Sequence, residues 1–111
     1  MVYWRARLFM ADKVIHPAII TGAYKTGFVL KFHQALAIGT EMNVEFAVKF
    51  RDEMHRIRVK AKVAYCQLGG GNSASEVEMD ISTIKISRED NHLMGNILQT
   101  LANSAEMNLK T

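Results

Sequence analysis

Cysteine and proline occur once each in this 111-residue chain, and no apolar run approaches the length of a membrane span. The single Cys66 cannot close an internal disulfide, and Arg5 and Arg7 interrupt the N-terminal stretch that a secretory leader would keep apolar. Both features point to a reducing, cytoplasmic setting. A bilayer-spanning helix takes roughly 20 apolar residues, so any membrane contact would be peripheral. Long Pro, Gly or Ser tracts are also missing, which argues against a disordered tail. Charge of one sign is not abundant either: 14 Lys and Arg against 11 Asp and Glu leave a formal +3. So small an excess marks a nucleic-acid binder only where the cations cluster. The length suits one core, which predicts a single domain over 1–111 with a barrel at about 2–86 and a helix at about 88–103.

What the chain does have is alternation. Trp4, Ala6, Leu8 and Met10 share one face of a first strand, with Tyr3, Arg5, Arg7 and Phe9 on the other. A second strand, Val14 to Thr21, contains Pro17, which places it at an edge or a bulge because proline gives no ladder donor. Phe28, Leu30 and Phe32 mark a third strand. Met42, Val44, Phe46, Val48 and Phe50 face inward from a fourth, opposite Glu41, Asn43, Glu45 and Lys49. A four-residue turn, Arg51 to Met54, then leads to Ile57, Val59, Ala61, Val63 and Tyr65, expected inside, with Arg56, Arg58, Lys60 and Lys62 outside. The glycine-rich stretch Gln67 to Ser75 is a loop, and Val77, Met79 and Ile81 form a sixth strand alternating with Glu76, Glu78 and Asp80. Six short strands at this spacing predict a mainly β fold, a six-stranded antiparallel β-barrel.

Only the C-terminus changes period. Ser87-Arg88-Glu89-Asp90 has the spacing of a capping box, and Leu93, Ile97, Leu98 and Leu101 fall on one side of the helix that follows. Gly95 is costly inside a helix, so it is expected to touch the barrel backbone closely.

The row Arg56, Arg58, Lys60, Lys62 is the main charge feature. With the four-residue turn, Glu45 comes opposite Lys60, and Glu76, Glu78 and Asp80 flank the other side, so the row is expected to be largely self-neutralised. The Phe and Tyr side chains that would stack bases fall mostly on the buried face, which weighs against nucleic acid as a partner. His16, His33, His55 and His92 have no metal-ligand spacing, and Cys66 is read as a small, partly buried side chain. No metal, no cofactor and no catalytic constellation is predicted, so the chain does not read as an enzyme.

The stretch ITGAYKTGFVLKFHQALAIGTEMNVEF, followed by VKAKVAY, a glycine loop, VEMDIST and SREDNHLMGNILQTL, resembles a PilZ domain over roughly residues 2–101. The resemblance implies a PilZ-like barrel with one C-terminal α-helix and a place in bacterial cyclic di-GMP signalling. Members of that family commonly hold cyclic di-GMP with an RxxxR arm ahead of the barrel and a D/NxSxxG turn before the third strand. Here the turn falls on Gly22 to Gly27. Gly27 matches the last glycine, whereas Gly22 stands at the acidic or amide position and Tyr24 at the serine. Arg5 and Arg7 are two apart, not four, and belong to the first strand.

Those departures shape the functional expectation. A protein-contact adaptor in bacterial motility, pilus, secretion or surface-polysaccharide pathways is expected, with Tyr3, Phe9, Tyr24 and the helix surface as contacts and a protein as partner. The alternative is an atypical receptor for cyclic di-GMP or another nucleotide, in which Arg5, Arg7, Lys25 and Gly27, with Lys31, would supply the contacts, or a second subunit or associated chain would supply the missing arginines.

Overall fold

The computed structural model describes residues 2–67 and 77–109. The expected loop at 67–75, apart from the backbone of Gln67, and Glu76 lie outside the described residues. Six strands are present: β1 (Trp4–Phe9), β2 (Ile15–Tyr24), β3 (Gly27–Phe32), β4 (Glu41–Phe50), β5 (Glu53–Gln67) and β6 (Val77–Ile86). They close an antiparallel barrel in the order β1-β2-β3-β6-β5-β4, and one helix, α1 (Arg88–Leu109), follows. The mainly β, six-stranded barrel with a C-terminal helix is therefore the fold.

Period-2 patterning explains the interior. Leu8, Ile20, Leu30, Val44, Ile57, Met79 and Ile81 are buried, one or two from each strand, and Trp4 stacks on Phe46 with centroids 5.6 Å apart. Burying each large aliphatic side chain contributes about 1.5–3 kcal/mol, which fixes the inside-outside parity of every strand.

Parity breaks where a strand bulges. The β5–β6 register shifts between Val63 and Tyr65, and after that extra residue Tyr65 points outward, 54% exposed, instead of inward as its spacing predicted. A second shift, between Ile20 and Gly22, carries β2 three residues past Thr21 to Tyr24. Pro17 is neither at a sheet edge nor at this bulge. β2 has neighbours on both sides, but its pairing with β3 begins only at Ile19, so Pro17 lies outside the β3-paired segment.

The β4–β5 connection is tighter than expected. Phe50 pairs with Glu53, leaving Arg51 and Asp52 as a two-residue turn, both with left-handed φ (53° and 65°) as a twist-matched hairpin requires. This moves the register by two: Glu45 sits opposite Arg58, Asn43 opposite Lys60 and Glu41 opposite Lys62. On the other side, Lys60 meets Lys85 and Lys62 meets Ser82, whereas Asp80 and Glu78 lie farther along, opposite Tyr65 and Gln67. The expected acidic, basic, acidic ladder is therefore corrected: among the described residues, the acids paired with the basic row come from β4 only.

The helix is longer than predicted, running to Leu109. Ser87 Oγ accepts from Asp90 N at 3.1 Å, as an N-cap should. Asp90's own carboxylate reaches the barrel, accepting from Arg58 N at 3.3 Å and satisfying a β5 donor one residue before the β6 ladder starts. Ile97 enters the core, with Leu93 and Met94 packed against it. Leu101, one helical turn on, is exposed, and an added Cβ on Gly95 would meet nothing within 4 Å, so the anticipated close backbone contact is absent.

Candidate functional site

The hairpin at TGAYKTGF keeps its shape for reasons of space. Tyr24 pairs with Gly27 around the two-residue turn Lys25–Thr26, and Gly27 in turn pairs with Ser82 on β6. A Cβ on Gly27 would stand 2.0 Å from the carbonyl oxygen of Ile81, so no other residue fits without moving backbone. The glycine that matches the PilZ turn thus has a structural cause of its own. Gly22 is different, since a Cβ there would make only ordinary contact with Val29.

Without a side chain at Gly27, Tyr24 reaches over β3. Its hydroxyl donates to Asp80 Oδ1 at 3.3 Å, and burial, then the neighbouring Asp80 carboxylate, push the phenol above its ordinary pKa. The polar pair here is a phenol and a carboxylate, which offers an incoming phosphate no cation. Lys25 and Gly27 do line a cavity of about 170 Å³ beneath the helix, together with Tyr24, Phe46, Val59 and Met94.

The two N-terminal arginines separate from that hairpin. Arg5 is in register with Ile19, and Ile19 with Lys31, so the two cations flank one isoleucine across β1, β2 and β3. Both line a cavity of about 470 Å³ with Tyr3, Pro17 and His33, a size suited to a small ligand. Arg7 turns to β4 instead. Of the residues named for the nucleotide reading, Lys25 and Gly27 stand apart from the rest, while Arg5 lines one cavity with Lys31 and another with Arg7.

The cluster around Glu45 was not anticipated. Glu45 faces outward, yet it is 5% exposed because arginines from both neighbouring strands lie over it. Arg58 Nη2 donates to Oε2 at 2.5 Å, and Arg7 and Arg56 approach Oε1 at 3.7 Å each. The Arg58 hydrogen bond and then the charges of Arg56, Arg58 and Arg7 hold the Glu45 carboxyl below its ordinary value, outweighing the opposing effect of burial. Because Arg58's N–H points away from β4 toward Asp90, Glu45 and Arg58 are a non-hydrogen-bonded cross-strand pair, the geometry that brings side chains closest. A two-residue turn at Arg51–Asp52 is the signal that would have found this cluster, but arginine is not a residue that advertises left-handed φ.

The remaining candidates disperse. Tyr3 is 70% exposed, whereas Phe9 is half-buried under the Arg58 guanidinium, 5.9 Å from its ring centroid, and sits at the far end of β1 from Tyr3. Tyr3, Phe9 and Tyr24 therefore do not form one patch. The fold brings two histidines together, His16 and His33, with ring centroids 6.4 Å apart, and His16 Nε2 lies 2.7 Å from Asp12. Val14 N, followed by His16, hydrogen-bonds the Asp12 carboxylate and lowers its pKa. No metal-binding cluster of three such groups occurs among the described residues, and no helix among them is long and apolar enough to cross a membrane. Cys66 is half-buried against the core.

No protein family matches the chain, and no curated protein matches it.

Proposed function

We propose that this domain is a non-catalytic, PilZ-like module that acts by binding another protein, as an adaptor in bacterial cyclic di-GMP-linked motility, pilus, secretion or surface-polysaccharide pathways. The observation that carries the reading is the hairpin: Gly27 is held by clearance from Ile81, while the neighbouring positions present Tyr24 on Asp80 where a nucleotide loop would present small polar groups. With Gly22 and Tyr24 in place of the turn's polar residues, hydrogen bonds of the charge-assisted kind, about 1.5–3 kcal/mol each, are missing from the hairpin, which weighs against the family's usual binding mode. The test is affinity purification from a bacterial lysate with the intact chain as bait. A reproducible partner is expected, and its absence contradicts the reading.

One observation favours a second reading. Arg5 and Lys31 share a ligand-sized cavity with Tyr3 and His33, which could hold a phosphate beside a stacked base. Nucleotide binding lost in the Arg5→Ala Lys31→Ala double variant supports that alternative, and binding that survives it assigns the contacts elsewhere.

A further inference from the structure

The outer face of β1, β4 and β5 is built in successive rungs with different centres. In one rung, Arg7 and Arg58 stand on either side of Glu45, in register with it on both strands. In the next, Arg56 is in register with Ala47, and Arg5 lines the same spot from β1. The first rung has a carboxylate between its cations; the second has a methyl group, and a recess of about 180 Å³ lies over it, with Arg7 and Glu45 of the first rung along its edge. Arg56, with no acid on its own rung, leans diagonally to Glu45 and reaches it only at 3.7 Å. Arg7, Arg56 and Arg58 thus crowd one carboxylate, and Arg5 adds a fourth cation at the recess, a local excess of three positive charges.

We propose that the recess over Ala47 receives a side-chain carboxylate from an acidic segment of a partner protein, held between Arg5 and Arg56 as Glu45 is held by Arg58. This deepens the adaptor reading, on which it rests, by giving the partner's chemistry. Glu45 itself shows what fits: guanidinium forks of this kind match planar carboxylates, and the neighbouring rung already contains one. Charge continues along β5 through Lys60 and Lys62, where side chains of one face repeat at about 7 Å, the repeat of alternate side chains in an extended peptide. Lys60 has Glu41 at 3.4 Å, whereas Lys62 and Lys85 extend the positive face toward β6. An acidic strand-like segment therefore meets cations at its own spacing. Single-stranded nucleic acid fits less well, because it needs successive rings on which to stack bases. The exposed tyrosines at this face, Tyr3 and Tyr65, stand at opposite ends of it, and Phe9 is covered by Arg58.

The substitution that tests the idea supplies the missing acid from within. In Ala47→Glu the new carboxylate would sit between Arg5 and Arg56, closing the recess at an exposed position without disturbing the core. Fluorescence anisotropy with a labelled oligoglutamate peptide, against labelled oligothymidylate, reads the outcome at about 50 mM and about 300 mM salt. Wild type is expected to bind the peptide and to weaken as salt rises. Ala47→Glu is expected to weaken peptide binding about ten-fold or more while melting no lower than wild type, and Arg5→Ala Arg56→Ala to lose a similar factor. Undiminished peptide binding by both variants overturns the proposal, as does no peptide binding by wild type or tighter binding of oligothymidylate. Recovery of the same lysate partner by Ala47→Glu also overturns it, while leaving the adaptor reading itself standing.

Discussion

At the β2–β3 hairpin, a glycine is fixed by one backbone carbonyl and the polar group within reach of the turn is a phenol on a carboxylate. On the outer face of β1, β4 and β5, the β1–β4 and β4–β5 ladders run without a register shift and three guanidinium groups crowd one carboxylate. The first region, residues 21–28, is a tight hairpin whose one cation, Lys25, lies in the turn, and the second carries a cluster of cations on paired strands. Backbone clearance and side-chain clustering thus have separate causes in this barrel: Gly27 answers to space, and the arginines answer to the register set by a turn several residues away.

The sharpest way to break that comparison is Gly27→Ala. With Ile81 O 2.0 Å from the new Cβ, the β3–β6 ladder has to shift, and a loss of about 3 kcal/mol is expected by chemical denaturation. Gly22→Ala, with ordinary contacts, is expected to stay within about 1 kcal/mol of wild type. Equal losses at the two glycines would contradict the spatial account of the turn.

Glu45→Gln probes the other region with a smaller effect. Removing the charge that three arginines share is expected to cost about 1 kcal/mol near neutral pH, the range of a hydrogen bond to a charged group discounted for exposed cations. Since the folded carboxyl titrates below its ordinary value of 4.5, Glu45's contribution is complete above that value and is lost as pH falls through the lower folded one. The stability difference between wild type and Glu45→Gln should therefore vanish in acid, and a difference that persists there would assign it to packing.

Tyr24→Phe is expected to change least, about 0.5 kcal/mol, because the hydroxyl bond is long and the ring partly exposed. Its signature lies at high pH. The raised phenol pKa means that stability is full below about 10 and declines as pH climbs from there to the folded value, and Tyr24→Phe should lack that decline.

The interior of this barrel was legible from the chain because burial imposes period 2, and each strand's apolar residues fall where that period puts them. Register was not, because it depends on turn length: reading Arg51 to Met54 as the turn instead of Arg51–Asp52 displaced every β4–β5 pair by two and hid the Glu45 cluster. Bulges escaped for a similar reason, since one extra residue near Ala64 reverses Tyr65 with no change in composition. In the helix, periodicity placed Leu93 and Ile97 correctly but could not show that the barrel ends before Leu101. The altered positions of the candidate loop, Gly22 and Tyr24, were visible in the chain, whereas Tyr24's reach to Asp80 across Gly27 required three strands to be set side by side.

The reading proposed for the hairpin at residues 21–28 is that it does not hold cyclic di-GMP, despite its resemblance to a loop of that kind. Titration calorimetry of cyclic di-GMP into the purified protein tests it most directly. No saturable heat is predicted at ligand concentrations well above about 1 μM. Saturable binding at about micromolar affinity, lost on substitution of Tyr24 or Lys25, would contradict it.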